Sequence, residues 1–319
     1  MKLSIVTTLY RSAAYIRPFC ERTAAAARAI TPDYEIILVN DGSPDDSLAI
    51  AVELQRADPA HITVVDLSRN FGHHKAAMTG LMHAGGDLVF QIDSDLEEEP
   101  ELLTLFHARM EESGADVVFG VQDRRKGGWF ERASGRLFYL VFNLLSTHRV
   151  PPDLLMARLM TRQYVANLVA HRESELDIAG LWTLTGFTQL PVTVRKHSRE
   201  TTTYSVGKRL ALMVRSITAF SNLPLIWIAG LGAFVLFLSF CYFVYIQYVR
   251  IFEGAPPTGF TTIILSVWFL GGLTIFSLGV IAIYLSVIFV ETKNRPYTIV
   301  RRVYGGERDA ADRPSIGTE

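Results

Sequence analysis

Two uncharged apolar segments near the C-terminal end, residues 223–249 and 260–290, restrict the possible folds of this chain more than any other feature. A helix needs about 20 residues to cross a bilayer, and each segment is longer than that. A buried helix of a globular protein rarely needs such length. The sequence therefore predicts two transmembrane helices, over residues 222–249 and 260–290, with a short loop over residues 250–259 between them.

Basic residues flank this pair of segments on both outer sides. They are Lys208, Arg209 and Arg215 before the first segment, and Lys293, Arg295, Arg301 and Arg302 after the second. Because Lys and Arg accumulate on the cytoplasmic side of a membrane, both chain ends are expected in the cytoplasm and the loop outside. Residues 291–319 are then a cytoplasmic basic segment and tail. Self-association through the membrane helices is possible, but the sequence gives no subunit number.

Residues 1–205 alternate between apolar runs of strand length and longer stretches of helical character. Strands are expected at residues 3–9, 35–40, 61–67, 88–92 and 116–120, and helices at 13–30, 46–57, 72–84 and 101–113. This alternation is typical of βαβ units. The sequence therefore predicts a cytoplasmic α/β domain with a Rossmann-like, mostly parallel sheet.

Two amphipathic segments with basic flanks, residues 131–146 and 206–221, are predicted to be helices that lie in the membrane interface. The alternative is that both are ordinary helices that pack on the sheet. The net charge of −1 does not suggest a nucleic-acid partner. The two cysteines, Cys20 and Cys241, provide neither a disulfide framework nor a zinc-binding pattern.

The candidate chemistry follows the ends of two predicted strands. Asp93 and Asp95 come directly after the strand at 88–92, and alternate residues of an extended chain share a face. Two such carboxylates suit Mg²⁺ or Mn²⁺, which proteins often hold together with substrate phosphates. Asp41 follows the strand at 35–40, and parallel strands bring such ends to one edge of the sheet. The alternatives are a solvated acidic turn for the first pair and a turn or helix cap for Asp41.

Four residues in the segment R-N-F-G-H-H-K could also contribute to this edge. Arg69 and Lys75 could reach a phosphate group. His73 and His74 resemble metal ligands, but adjacent residues of a helix do not share a face. A metal role for these histidines is therefore disfavoured.

Four motifs resemble those of a known family. They are V-N-D-G-S (39–43), L-S-R-N-F-G-H-H-K-A-A (67–77), G-L-M-H-A-G-G-D (80–87) and I-D-S-D-L (92–96). In order and spacing they are similar to family-2 glycosyltransferases of the GT-A fold that act on polyprenyl phosphates. Examples are dolichyl-phosphate mannose synthase and the bacterial undecaprenyl-phosphate glucosyltransferases. The two helices that follow resemble the bacterial branch, whose members are multi-pass proteins of the inner membrane.

The resemblance implies an inverting transfer of a sugar from a nucleotide-diphosphate sugar to a polyprenyl phosphate. The product would be a lipid-linked monosaccharide for modification of surface glycans such as lipopolysaccharide. It also implies roles for individual residues. Asp93 and Asp95 would hold the metal and the donor diphosphate, and Glu97 would complete this site. The residues that would bind the donor are Thr8, Tyr10, Asp41, Lys75, Asp93 and Tyr204. The residues that would bind the acceptor phosphate are Arg124, Arg125, Arg136 and Arg158.

Three departures from the family pattern stand near these residues. Arg11 and Ser12 replace an Asn and a Glu, Met156 replaces an Asp close to the transferred sugar, and Glu200 replaces a Gly. They keep two alternatives open: a transferase that acts on a lipid-linked oligosaccharide, and a weakly active or non-catalytic membrane scaffold. A processive polysaccharide synthase is disfavoured because the chain has no Q-x-x-R-W motif.

Overall fold

A computed structural model describes residues 1–122, 154–171, 178–194, 223–252, 259–293 and 295–305. The chain divides into two compact units. The first, here called the sheet unit, comprises Met1–Ser134, Val150–Thr203 and Asn294–Glu319. The second, the helix unit, comprises Gly135–Arg149 and Tyr204–Lys293.

The described residues form eight strands and eight helices. The strands are β1 (Leu3–Leu9), β2 (Tyr34–Asn40), β3 (Ile62–Leu67), β4 (Leu88–Gln91), β5 (Val117–Gln122), β6 (Leu154–Thr161), β7 (Gln189–Val194) and β8 (Val300–Tyr304). The helices are α1 (Ile16–Arg28), α2 (Ser47–Ala57), α3 (His73–His83), α4 (Leu102–Ser113), α5 (Arg162–Ala170), α6 (Ile178–Leu184), α7 (Leu223–Phe252) and α8 (Phe260–Thr292).

All the described strands belong to one sheet in the order β7-β5-β6-β4-β1-β2-β3-β8. The central strands β4, β1, β2 and β3 are parallel to their neighbours in that group. Strand β6 runs antiparallel to β4 and β5, and β8 runs antiparallel to β3 at the edge. The predicted α/β fold with a mostly parallel sheet is confirmed, and the GT-A architecture is of this kind.

Helices cover both faces of the sheet, which explains why its central strands are almost continuously apolar. In β1, Leu3 and Ile5 point to a core that also contains Phe19 of α1 and Phe106 of α4. On the other face, Val6 joins a core formed with residues of α3, α5 and α6. The side-chain period of two along β1 therefore supplies both cores from one strand.

Helix α3 lies unusually close to the sheet because Gly80 has no side chain. A Cβ at this position would contact Val6 Cγ1 and would lie 2.8 Å from Val39 Cγ2. Both valines are fully buried, so neither can move aside easily. Gly80 thus fixes α3 against β1 and β2, and with it the first residue of the helix, His73.

The segment after α8 returns to the sheet unit, which the sequence analysis did not anticipate. Strand β8 pairs with β3, and Ser68 N–H donates to the carbonyl of Ile299 at 2.8 Å. The hydroxyls of Thr79 and Thr298 lie 2.7 Å apart, and Arg301 donates to the carbonyl of Ser68. The basic residue Arg301 therefore has a structural role at the sheet edge.

The helix unit contains α7 and α8, which have 30 and 33 residues. Within them, Leu225–Tyr242 and Phe269–Thr292 are long and apolar enough to cross a membrane, as predicted from the sequence. Neither window is buried within the structure. The predicted interfacial helices at 131–146 and 206–221 lie outside the described residues.

We expect Gly80→Val to lower the free energy of unfolding by about 1–3 kcal/mol, because the added methyl groups overpack the interface between α3 and the sheet. The matched control is Met82→Ala, on the same helix, where the side chain is 39% exposed and the expected change is below about 0.5 kcal/mol. Thermal melting of the purified protein in detergent measures both. Equal melting temperatures for the two variants would contradict the packing argument.

Candidate active site

The site lies where β1, β2 and β4 end. Because β1 is parallel to both neighbours, the residues that follow these strands meet at one edge of the sheet. Thr8, His73, Gln91 and Asp93 line a narrow crevice at this edge. Asp41 and the Asp93/Asp95 pair were expected on this edge, and the strand pairing places them there.

The loop that carries the two aspartates is held in place by the serine between them. Ser94 is buried, and its hydroxyl lies 2.9 Å from the Thr8 carbonyl and 3.1 Å from Ser12 Oγ. Asp93 and Asp95 are partly exposed. Asp95 Oδ1 also accepts a 2.9 Å hydrogen bond from Glu97 N–H, across a backbone turn in which Leu96 has a φ of 59°. Ser94 therefore anchors the loop, and both carboxylates remain partly exposed.

These carboxylates fit a hard divalent cation that is shared with a substrate. Within the described ranges, no group of three or more His, Cys, Asp or Glu side chains is arranged to hold a metal alone. Mg²⁺ seldom needs such a group, because it is commonly bound by one or two carboxylates, several waters and substrate phosphates. The partly exposed Asp93 and Asp95, with Glu97 nearby, match that kind of site.

Asp41 fixes the two residues that precede α3, Phe71 and Gly72, which are here called the α3 approach. Its buried carboxylate accepts hydrogen bonds from the backbone N–H groups of Phe71, at 2.7 Å, and Gly72, at 3.0 Å. Burial raises the pKa of Asp41, and these two N–H groups together with the nearby His73 and Arg69 side chains oppose the rise only in part. The local role that the sequence analysis held open for Asp41, a turn or cap, is therefore present. A role in nucleotide binding would use its remaining lone pairs.

The residue after Asp41 must be glycine for this contact to form. Gly42 has a φ of 58°, and a Cβ there would lie 2.5 Å from backbone atoms of Arg69 and Asn70. A side chain at this position would therefore push away the segment that Asp41 binds.

His73 contacts two residues that the sequence analysis assigned to the site. Its Nδ1 lies 2.9 Å from Thr8 Oγ1, and its Nε2 lies 3.3 Å from Asp93 Oδ1. Desolvation lowers the pKa of the imidazole, against the opposing effect of Asp41 and Asp95. That the two histidines do not bind a metal as a pair stays a prediction, and the contacts of His73 with Thr8 and Asp93 were not foreseen from the sequence.

Arg158 lies in the core of the sheet unit. It stands on β6 opposite Gln91 of β4 and Phe119 of β5, with only 1% of its surface exposed, and its guanidinium stacks on the Trp182 ring. Burial lowers the pKa of Arg158 to about 9, although Tyr164 and Glu98 favour its charged form. In this arrangement it has no direct access to a lipid phosphate.

Glu98 connects the loop that carries Asp93 and Asp95, here called the aspartate loop, to β6, the strand that carries Arg158. Its buried carboxylate accepts hydrogen bonds from the backbone N–H groups of Met156, at 3.3 Å, and Ala157, at 2.7 Å. Met156, which departs from the family pattern, is therefore held next to the loop of Asp93 and Asp95. Sequence reasoning missed Glu98 because the run E-E-E (97–99) gives no sign of which carboxylate is buried.

The remaining predicted residues divide into two groups. Tyr10 is 47% exposed, and the Arg11 guanidinium lies 5.7 Å from its ring centroid. Lys75 is partly exposed in the first turn of α3. Arg124, Arg125, Arg136 and Tyr204 lie outside the described residues.

The sequence matches the model of one protein family. Residues 4–167 match "Glycosyl transferase family 2". A Mycobacterium tuberculosis protein with a provisional glycosyltransferase name is 50% identical over 318 residues, which cover 100% of this chain and 93% of that protein. The prophage-derived bactoprenol glucosyl transferase of Shigella flexneri is 30% identical over 311 residues, which cover 96% of this chain and 99% of that protein.

Solved glycosyltransferase structures resemble the chain at lower identity. TarS of S. aureus, solved with UDP-GlcNAc, is 20% identical with a TM-score of 0.44 and covers 69% of this chain and 66% of its own. The Pyrobaculum calidifontis mannosyltransferase PcManGT, solved with GDP-Man and Mn²⁺, is 14% identical with a TM-score of 0.46. That match covers 92% of this chain and 86% of the mannosyltransferase.

We expect Asp41→Ala to lower the free energy of unfolding by about 1–3 kcal/mol, since it leaves two backbone N–H groups of the α3 approach without their acceptor. Asp46→Ala is the matched control from the same turn. Asp46 is exposed and its side chain makes no capping hydrogen bond to α2, so the expected change is below about 0.5 kcal/mol. Thermal melting compares the two. An Asp41→Ala protein as stable as the control would contradict the structural role of Asp41.

Proposed function

Because the chain belongs to glycosyl transferase family 2, we propose that it transfers a sugar from a nucleotide-diphosphate sugar to a polyprenyl phosphate. The enzyme class follows from the family, and the acceptor is inferred from relatives that are named bactoprenol glucosyl transferases. The Shigella flexneri relative aligns with 96% of this chain, so the similarity includes both long apolar helices and not only the sheet unit. The product would be a lipid-linked monosaccharide for surface glycans such as lipopolysaccharide.

The observation that carries this proposal is the pair of partly exposed carboxylates, Asp93 and Asp95, at the carboxyl edge of the parallel sheet. Ligands of open α/β sheets bind at that edge. Asp93 and Asp95, with Glu97, would hold Mg²⁺ or Mn²⁺ against the donor diphosphate. A bound ion would supply electrostatic stabilisation of the departing nucleoside diphosphate.

The rest of the site would act by binding and orientation. An acceptor phosphate is already ionised at neutral pH, so no strong general base is required, and positioning and charge stabilisation dominate. The donor would be bound by Thr8, Tyr10, Asp41, Lys75 and Tyr204. The acceptor phosphate would be bound by Arg124, Arg125 and Arg136, because the Arg fork binds phosphate in a bidentate manner. For Arg158 to join them, the packing around its buried side chain would have to open.

We further propose that α7 and α8 cross the inner membrane of a bacterium and that the sheet unit is cytoplasmic. The chain leaves the sheet unit after Thr203 and re-enters it at Asn294. Since β8 pairs with β3, both outer ends of the helix pair connect to the same folded unit. A pair of spanning helices satisfies this connection, and the flanking Lys and Arg residues favour the cytoplasmic side.

We expect Asp95→Ala to reduce sugar transfer to undecaprenyl phosphate by about 100-fold or more, because it removes a carboxylate from the site that stabilises the leaving group. Glu99→Gln is the matched control in the same acidic run, at an exposed position, and should retain activity within about 2-fold. The assay measures nucleoside diphosphate release and glycolipid mass with Mn²⁺ or Mg²⁺ present. Full turnover by Asp95→Ala would contradict the site assignment.

The membrane arrangement predicts different labelling of two single-cysteine variants made in a Cys20→Ala, Cys241→Ser background. Glu253→Cys, in the loop between the helices, should react with an impermeant maleimide on spheroplasts. Met82→Cys, at an exposed position of the sheet unit, should react only after permeabilisation. Labelling of both, or of neither, in sealed spheroplasts would contradict the proposed orientation.

A further inference from the structure

We propose that His73 is a positioning residue that holds the Asp93 carboxylate in the orientation needed for metal binding. The inference rests on the proposed function, because His73 would orient a carboxylate of the same metal and donor site. It is carried by two contacts of one imidazole ring: Nδ1 with Thr8 Oγ1 at 2.9 Å and Nε2 with Asp93 Oδ1 at 3.3 Å.

The chemistry of the two partners determines the direction of these contacts. An ionised carboxylate only accepts hydrogen bonds, so His73 Nε2 must carry the proton that faces Asp93. In a neutral ring Nδ1 is then the acceptor, and the Thr8 hydroxyl donates to it. The 3.3 Å contact is long for a hydrogen bond, and site contacts of this kind commonly shorten when the ligand binds. The result is a series of contacts with one direction, in which Thr8 donates to His73 and His73 donates toward Asp93.

With both ring nitrogens used in this way, His73 has no free lone pair for a metal. Nδ1 faces the Thr8 hydroxyl, and a proton on Nε2 would lie on the side of the Asp93 carboxylate. A histidine that donates to a ligating carboxylate orients that ligand and limits its rotation. The geometry thus favours a positioning role over direct coordination.

Thr8 contacts the loop of Asp93 and Asp95 in two ways, directly through Ser94 and indirectly through His73. Its carbonyl accepts a hydrogen bond from Ser94, and its hydroxyl faces the imidazole that contacts Asp93. The backbone just before His73 is held as well, because the Asp41 carboxylate accepts hydrogen bonds from the N–H groups of Phe71 and Gly72. End residues of β1 and β2 therefore set the position of a side chain that follows β4.

The test measures Mn²⁺ binding by electron paramagnetic resonance on the full-length protein in detergent, with UDP and, separately, GDP as diphosphate probes. His73→Ala should weaken Mn²⁺ binding about 10–100-fold, the usual effect of losing an outer-shell partner. His73→Gln should recover most of the loss, because the glutamine amide can donate from near the Nε2 position. His74→Ala, the adjacent histidine, is the control and should stay within about 2-fold of the unmodified protein.

Three results would overturn the proposal. They are unchanged Mn²⁺ affinity in His73→Ala, no recovery in His73→Gln, and a directly coordinated ¹⁴N in the electron spin-echo modulation of bound Mn²⁺. The first result together with weakened binding in Asp95→Ala would reject the role of His73 alone. Absence of Mn²⁺ binding to the unmodified protein with either nucleotide would reject both this role and the proposed metal site.

Discussion

The parallel pairing of β1 with β2 and β4 is the constraint on which the rest of the site depends. It aligns Leu9 with Asn40 and Val6 with Gln91, so three strand ends reach the same edge. Backbone and side-chain hydrogen bonds at the end of β1 then hold the aspartate loop, while Asp41 holds the approach to α3. A charged site can form there because the sheet fixes the residues with which these polar groups make their hydrogen bonds.

The sequence predicted the first five strands and the four helices between them, because both faces of the central sheet are covered and the apolar runs are unambiguous. It missed three strands whose pairing is non-local. The segment of β6, L-L-M-A-R-L-M-T, contains good helix formers and a buried arginine, and only its position between β4 and β5 makes it a strand. Strand β8 is short and mostly exposed, and it pairs with a strand more than 200 residues earlier.

The candidate site was predictable to the extent that acidic residues directly follow the predicted strands. The spacing of Asp93 and Asp95 predicted two carboxylates on one face of an extended chain. In the structure β4 ends at Gln91, and both aspartates lie beyond it at partly exposed positions. The contacts of His73, Asp41 and Glu98 depend on which elements lie beside one another, and local spacing has no information about that. For Arg158 the family resemblance implied binding of the acceptor phosphate. In the structure its side chain lies in the core, stacked on Trp182.

The most direct test of the account is a donor screen with the purified full-length protein in nanodiscs. Each reaction contains undecaprenyl phosphate, Mg²⁺ or Mn²⁺, and one nucleotide sugar, and the lipid products are weighed by mass spectrometry. We expect that one donor gives, only when metal is present, a new lipid heavier than undecaprenyl phosphate by one sugar residue. Folded protein that forms no glycolipid with any donor would contradict it.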